Sequence, residues 1–237
     1  MTVRRRYSLV LAGFAALAPL IAGDALAQQR KDTVVLAMVL EPAPGLDPTM
    51  ASAAAIGEVV HMSVLEGLTK IQMDGRVTPL LAESWTVDPD GKVYTFKLRR
   101  NVRFHDGEPF DSSDVRFTFE RAKAAGSTNK LKRAVFDNIS RIETPDPYTV
   151  ILVLNQADGN FLFRMGENPT VILDPKSAPT TATRPIGTGP FRFESWAKGS
   201  AITLVKNDAY RDAANVKMKK VTWRFINDSA AQVAALL

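Results

Sequence analysis

The chain has 237 residues, 46% of them hydrophobic and 23% charged, which is the composition of one or two packed globular domains and excludes a largely disordered polypeptide. Its formal charge is +5, but Arg4, Arg5, Arg6 and Asp24 all fall within the first 27 residues, and the remainder carries +3. The basic runs Lys130-Leu131-Lys132-Arg133 and Lys217-Met218-Lys219-Lys220 have no interleaved aromatics, so nucleic acid is excluded as a partner; the absence of cysteine excludes disulfides, thiolate metal sites, a cysteine nucleophile and a lipid anchor.

Residues 1–27 read as a signal peptide. Arg4-Arg5-Arg6 precede an apolar stretch from Tyr7 to Ile21, and Ala25-Leu26-Ala27 predicts cleavage after Ala27. The stretch is shorter than the ~20 residues of a membrane span and contains Pro19. The expected product is periplasmic and not lipid-anchored, with the Sec and twin-arginine routes both open.

In chain order, Thr33–Val39 is an apolar, valine-rich run that predicts a buried strand. Pro42, Pro44, Gly45 and Pro48 impose an irregular loop. Ile56, Val59, Val60, Ser63, Val64 and Leu68 recur near helical spacing, predicting a helix over Ile56–Leu68 with Gly67 at its cap. Asp88-Pro89-Asp90-Gly91 is a turn, after which Tyr94, Phe96 and Leu98 alternate with polar residues as a half-buried strand. A second turn at His105-Asp106-Gly107 leads to Asp111–Asp114, which opens a helix ending near Gly126.

Asn138–Glu143 and Thr149–Leu154 form a predicted hairpin around Thr144-Pro145-Asp146-Pro147. Asn160–Gly166 predicts a short helix. Val171–Leu173, Phe191–Trp196, Ile202–Lys206 and Val221–Ile226 predict strands, and Asp228 caps a helix over Ser229–Leu237. The fold class is mixed α/β (α+β), without a regular βαβ series.

Catalytic apparatus is hard to assemble from this inventory. The two histidines are His61, among apolar neighbours, and His105, in a tight turn beside Asp106. There is no G-x-S-x-G elbow and no H-E-x-x-H zinc helix. Gly187-Thr188-Gly189-Pro190 lacks the Lys-Ser/Thr of a phosphate loop and reads as a turn or hinge beside a cleft. The paired aspartates at 88/90 and 111/114 fit turns and caps, and Trp85, Trp196 and Trp223 fit strand positions in the core.

Leu81-Ala82-Glu83-Ser84-Trp85, Asp90–Arg99, Val102–Phe110 and Asp114-Val115 together resemble the signature block of family 5 extracellular solute-binding proteins, the peptide-, glutathione- and nickel-binding components of ABC importers. Leu46-Asp47-Pro48, Leu65-Glu66-Gly67-Leu68, Pro185–Phe191 and Asn207-Asp208-Ala209-Tyr210 follow in the order that the family shows. The resemblance implies a periplasmic-binding-protein-like type II fold. Residues 28–68 and 174–237 would form a discontinuous lobe I, and residues 69–173 an extra subdomain packed on it. Family members continue into a second lobe, so the resemblance implies that this chain stops short of it.

The residue inventory offers no acid/base dyad and no metal cluster, so no enzymatic activity, cofactor or metal site is expected. The resemblance implies a peptide or small-molecule ligand held between lobes and delivered to ABC permease subunits in the inner membrane. The cleft wall is expected to include Leu40, Glu41, Met50, Ala51, Ser52 and Ile56, with Gly187, Thr188 and Gly189 close by; the small residues Ala51–Ala55 imply a roomy pocket or contacts through backbone. The competing readings are a secreted hydrolase built on His105, Asp106 and a serine, and a chaperone or sensor using the same fold.

Overall fold

The computed structural model describes residues 32–51, 53–228 and 231–232. The leader and its cleavage site, Ser52, and nearly all of the helix expected over Ser229–Leu237 lie outside these residues. The strands are β1 (Thr33–Met38), β2 (Thr69–Ile71), β3 (Val77–Pro79), β4 (Ala82–Val87), β5 (Val93–Leu98), β6 (Ile139–Asp146), β7 (Thr149–Leu154), β8 (Phe191–Ala197), β9 (Ala201–Lys206) and β10 (Lys220–Phe225). The helices are α1 (Ala54–Val60), α2 (Ser112–Lys123) and α3 (Phe161–Arg164).

Two four-stranded sheets organise the described residues. In the first, ordered β4-β5-β7-β6, every neighbour is antiparallel. The period-two pattern of β5 turns Tyr94, Phe96 and Leu98 inward, onto a core that includes Phe119 of α2 and Phe136. Helix α2 starts where the sequence indicates. The Asp111 carboxylate accepts the Ser113 N–H at 2.7 Å, and Asp114 reaches back to the Asp111 N–H at 2.8 Å, satisfying two donors of the first turn. The second sheet, ordered β1-β10-β9-β8, pairs β1 with β10 in parallel and the rest antiparallel. Ile56, Val59 and Val60 of α1 share its core with Ile202, Leu204 and Trp223.

The structure corrects three expectations and adds one hairpin. Helix α1 ends at Val60, not Leu68: Met62 adopts a left-handed φ of 62°, and the chain continues as a strap between the two sheets. The carbonyls that a helix would use internally are taken from outside. Ser63 O accepts from Phe191 N (2.9 Å), Val64 O from Gly189 N (3.0 Å), Glu66 O from Ile172 N (2.9 Å) and Leu68 O from Ala82 N (3.0 Å). Apolar periodicity cannot distinguish this strap from a helix, because every one of its apolar side chains is buried either way.

Val171–Leu173 is not a strand. It threads between the two cores as a single buried segment, its N–H groups satisfied by Glu66 O and, at 3.0 Å, by Thr118 Oγ1. Strand β6 continues through Pro145 to Asp146, and a register shift between Glu143 and Asp146 absorbs the missing proline N–H, so the turn is tighter than expected. The hairpin of β2 and β3, around Asp74-Gly75 with φ of 82° at Gly75, is too short to leave a sequence period.

Three buried connections lock the strap in place. Glu66, 1% exposed, receives Arg211 Nη1 and Nη2 at 2.8 and 2.7 Å, Tyr210 OH at 3.1 Å and Thr188 Oγ1 at 2.8 Å. Burial and the Glu66 charge push the Tyr210 phenol up to about 12. Gly187 and Gly189 cross the strap so closely that a Cβ would lie 2.0 Å from Val64 O at the first and 2.5 Å from Ser63 O at the second. His105 brackets the same crossing. Its N–H donates to Gly187 O at 2.9 Å, its Nε2 pairs with Gly189 O at 2.9 Å, and its Nδ1 accepts the Gly187 N–H at 3.3 Å.

Replacing Arg211 with Met leaves the buried Glu66 carboxylate without a cation. Urea denaturation is expected to show a loss of about 3 kcal/mol; a change within error of zero would contradict the role given to this pair.

Burial, with Arg192 contributing, lowers the His105 pKa from 6.5 to about 4, so the folded ring is neutral where the unfolded one takes a proton. Its stabilisation is complete above pH 6.5 and is lost as pH falls from 6.5 towards 4. Between pH 7 and 4.5 the wild type is expected to lose on the order of 2 kcal/mol relative to His105→Gln in paired denaturation curves. Asp114, which burial pushes up to about 7, titrates in both proteins and cancels in the difference. A gap that stays constant with pH would contradict the neutral ring.

Candidate functional site

A groove with a mostly apolar lining forms where β1 leaves its sheet and α1 begins. Ala37–Glu41 and Ala43 make one side, and Ala53–Ala55 with Glu58 of α1 make the other, enclosing about 500 Å³. The alanines produce this room, since a helix start without bulk leaves the neighbouring Leu40 69% exposed. Strand β1 is also the edge of its sheet. Val35 and Leu36 point to opposite faces of it and are 56% and 42% exposed. A parallel-paired strand with apolar residues open on both faces has the character of an interior strand lacking a neighbour.

The polar side chains of the groove are two carboxylates. Glu41 accepts Trp196 Nε1 at 2.7 Å and the Gly199 N–H at 3.1 Å, which ties the loop after β1 to the turn joining β8 and β9. Lys198 Nζ stands 3.0 Å from the centroid of the Trp196 ring and holds the indole from its other side. Glu58 makes no ion pair or hydrogen bond among the described residues. An apolar groove with a few fixed polar groups can bury the body of a small ligand and orient one end of it.

The residues expected at the cleft wall, Ser52 aside, divide into four groups. Leu40 and Glu41 line the groove. Met50 and Ala51 instead line a neighbouring hollow of about 190 Å³, beside the ion pair of Asp47 with Arg121 Nη2 at 2.8 Å. Ile56 is fully buried behind the groove, in the core. Gly187, Thr188 and Gly189 are buried at the strap crossing and do not line the groove. Sequence reasoning missed Ala37–Val39, Ala43 and Glu58. A polar residue at Glu58 among the apolar positions of α1 was the one available signal for it.

His105 is not placed to act as a base. Both ring nitrogens of this part-buried side chain are spent on Gly187 and Gly189 backbone. Among the described residues no group of three or more His, Asp or Glu side chains is placed to hold a metal ion, and no helix is long and apolar enough to cross a membrane.

Residues 76–237 match the family model described as bacterial extracellular solute-binding proteins, family 5 Middle. The glutathione-binding protein GsiB of Salmonella paratyphi A is 32% identical over 196 residues, covering 81% of this chain and 38% of that protein. Among solved structures, the PBP AgaA from A.tumefacien R10 in complex with agropinic acid matches with a TM-score of 0.80 at 32% identity, over 86% of this chain and 42% of that one. The periplasmic binding protein DppA from Helicobacter pylori, in complex with peptide STSA, matches with a TM-score of 0.77 at 29% identity, over 86% and 44%. The chain thus spans less than half the length of each of these proteins. Its mixed α/β architecture is that of their type II fold, and the chain belongs to the family 5 bacterial extracellular solute-binding proteins.

Proposed function

We propose that this chain supplies one wall of the substrate-binding component of a periplasmic ABC importer. That component captures peptides or similar small solutes and delivers them to the membrane permease. The observation that carries the reading is the apolar groove at the end of β1 beside an open sheet edge, in a chain of the solute-binding family.

In this reading residues 28–68 and 174–237 form lobe I, around the β1-β10-β9-β8 sheet. Residues 69–173 form the extra subdomain around the β4-β5-β7-β6 sheet. Residues 1–27 direct export and are removed after Ala27. The wall facing the solute is the stretch from Val39 to Glu41 together with Ala53–Glu58, and the Gly187-Thr188-Gly189 crossing supports that wall from within the fold. The opposing wall belongs to polypeptide corresponding to the part of the relatives' length that this chain does not span. Among the described residues, both ring nitrogens of His105 are engaged by the Gly187 and Gly189 backbone, which weighs against the hydrolase alternative.

A cleft that encloses its ligand needs both walls. Titration calorimetry on residues 28–237 with mixed tripeptides is therefore expected to show a Kd of roughly 1 mM or weaker. Micromolar binding by these residues alone would overturn the reading of the groove as one wall of two.

A further inference from the structure

We propose that the groove at the end of β1 receives an apolar solute through a positively charged amine, and not through a carboxylate. The proposal rests on the reading of this groove as the wall that faces the solute, and it names the class of solute.

The argument is one of charge complementarity over an apolar floor. Of the residues that line the groove, Glu41 and Glu58 are titratable and both are acidic; no Lys, Arg or His lines it. Glu41 is held by Trp196 Nε1 and the Gly199 N–H, which are neutral donors. They fix the carboxylate in place without cancelling its charge. Lys198, outside the groove lining, keeps its charge against the face of the Trp196 ring and offsets part of the Glu41 field, so Glu58 carries the larger share of the negative potential. Glu58 is exposed and has no ion-pair partner among the described residues, so its charge is free to act on whatever enters. Alanine and leucine walls lower the local dielectric and make two like charges count for more than they would in open water.

An incoming ammonium gains from both carboxylates, and its aliphatic body covers the exposed Leu40 and the alanines. An incoming carboxylate meets repulsion from both and finds no lining cation. Some relatives of this chain are glutathione-binding proteins, and glutathione carries two free carboxylates beside its one amine. This wall offers those carboxylates nothing, so its preference lies with amine-bearing solutes of lower negative charge.

The test compares two probes with the same apolar body and opposite charge, leucinamide and N-acetyl-leucine, titrated into the isotopically labelled chain at low salt. Backbone amide shifts report both the place and the strength of binding. Leucinamide is expected to shift Leu40, Glu41 and Ala53–Glu58 with a Kd about fivefold lower than that of N-acetyl-leucine, an advantage that shrinks as salt is raised. In Glu58→Gln, at an exposed helical position, the ratio is expected to fall to about twofold. Equal or tighter binding of N-acetyl-leucine in the groove, or a ratio unchanged in Glu58→Gln, would overturn the proposal while leaving the groove as the solute-facing wall. Shifts from neither probe in the groove would overturn the proposal, and shifts from both probes confined to another surface would overturn the groove as the solute-facing wall as well.

Discussion

The structure depends on one buried carboxylate. Glu66 is nearly inaccessible to solvent, and an unpaired charge there would cost several kcal/mol. The chain meets this demand from 122 to 145 residues away, with both Arg211 Nη atoms, the Tyr210 hydroxyl and the Thr188 hydroxyl converging on the two oxygens. That convergence holds the 63–68 strap open as an extended segment. Its exposed carbonyls then bind β8, the 171–173 segment and the start of β4. The two sheets share this strap, and α1, whose last turn leads into it, is thereby fixed against β1. The groove between α1 and β1 inherits its shape from that arrangement.

The polar groups that sequence inspection weighs for chemistry are engaged in structural bonds: His105 in bracketing the glycine crossing, Asp106 in accepting the Glu108 N–H, and Asp111 and Asp114 in capping α2. At the groove, the groups left uncommitted among the described residues include apolar side chains at the β1 edge and the Glu58 carboxylate. This is the inventory of a surface that receives something, and it agrees with membership of a solute-binding family.

How much of this was legible in the sequence follows from how local each signal is. The β5 alternation, the Asp88–Gly91 turn and the Asp111 cap depend on neighbours a few residues away, and each was readable. The strap was not, because a buried extended segment and a buried helix leave the same apolar pattern; only the distant partners of Ser63, Val64 and Glu66 decide between them. Val171–Leu173 reads as a strand for the same reason. Gly187 and Gly189 were legible as special positions but not in their role. Their lack of a side chain admits the strap backbone, a contact that no turn pattern encodes. At the groove, Leu40 and Glu41 were legible from the resemblance, whereas Glu58 required knowing which face of α1 the core leaves free.

The central claim is that the surface between β1 and α1, and not the glycine crossing, faces the solute. Photo-crosslinking addresses it most directly, with an amine-bearing tripeptide that carries a diazirine on its apolar side chain, followed by peptide mass mapping. The account predicts labels within 37–43 and 53–58, competed away by the unlabelled tripeptide. Competed labels confined to the segments around His105 and Gly187–Gly189 would contradict it.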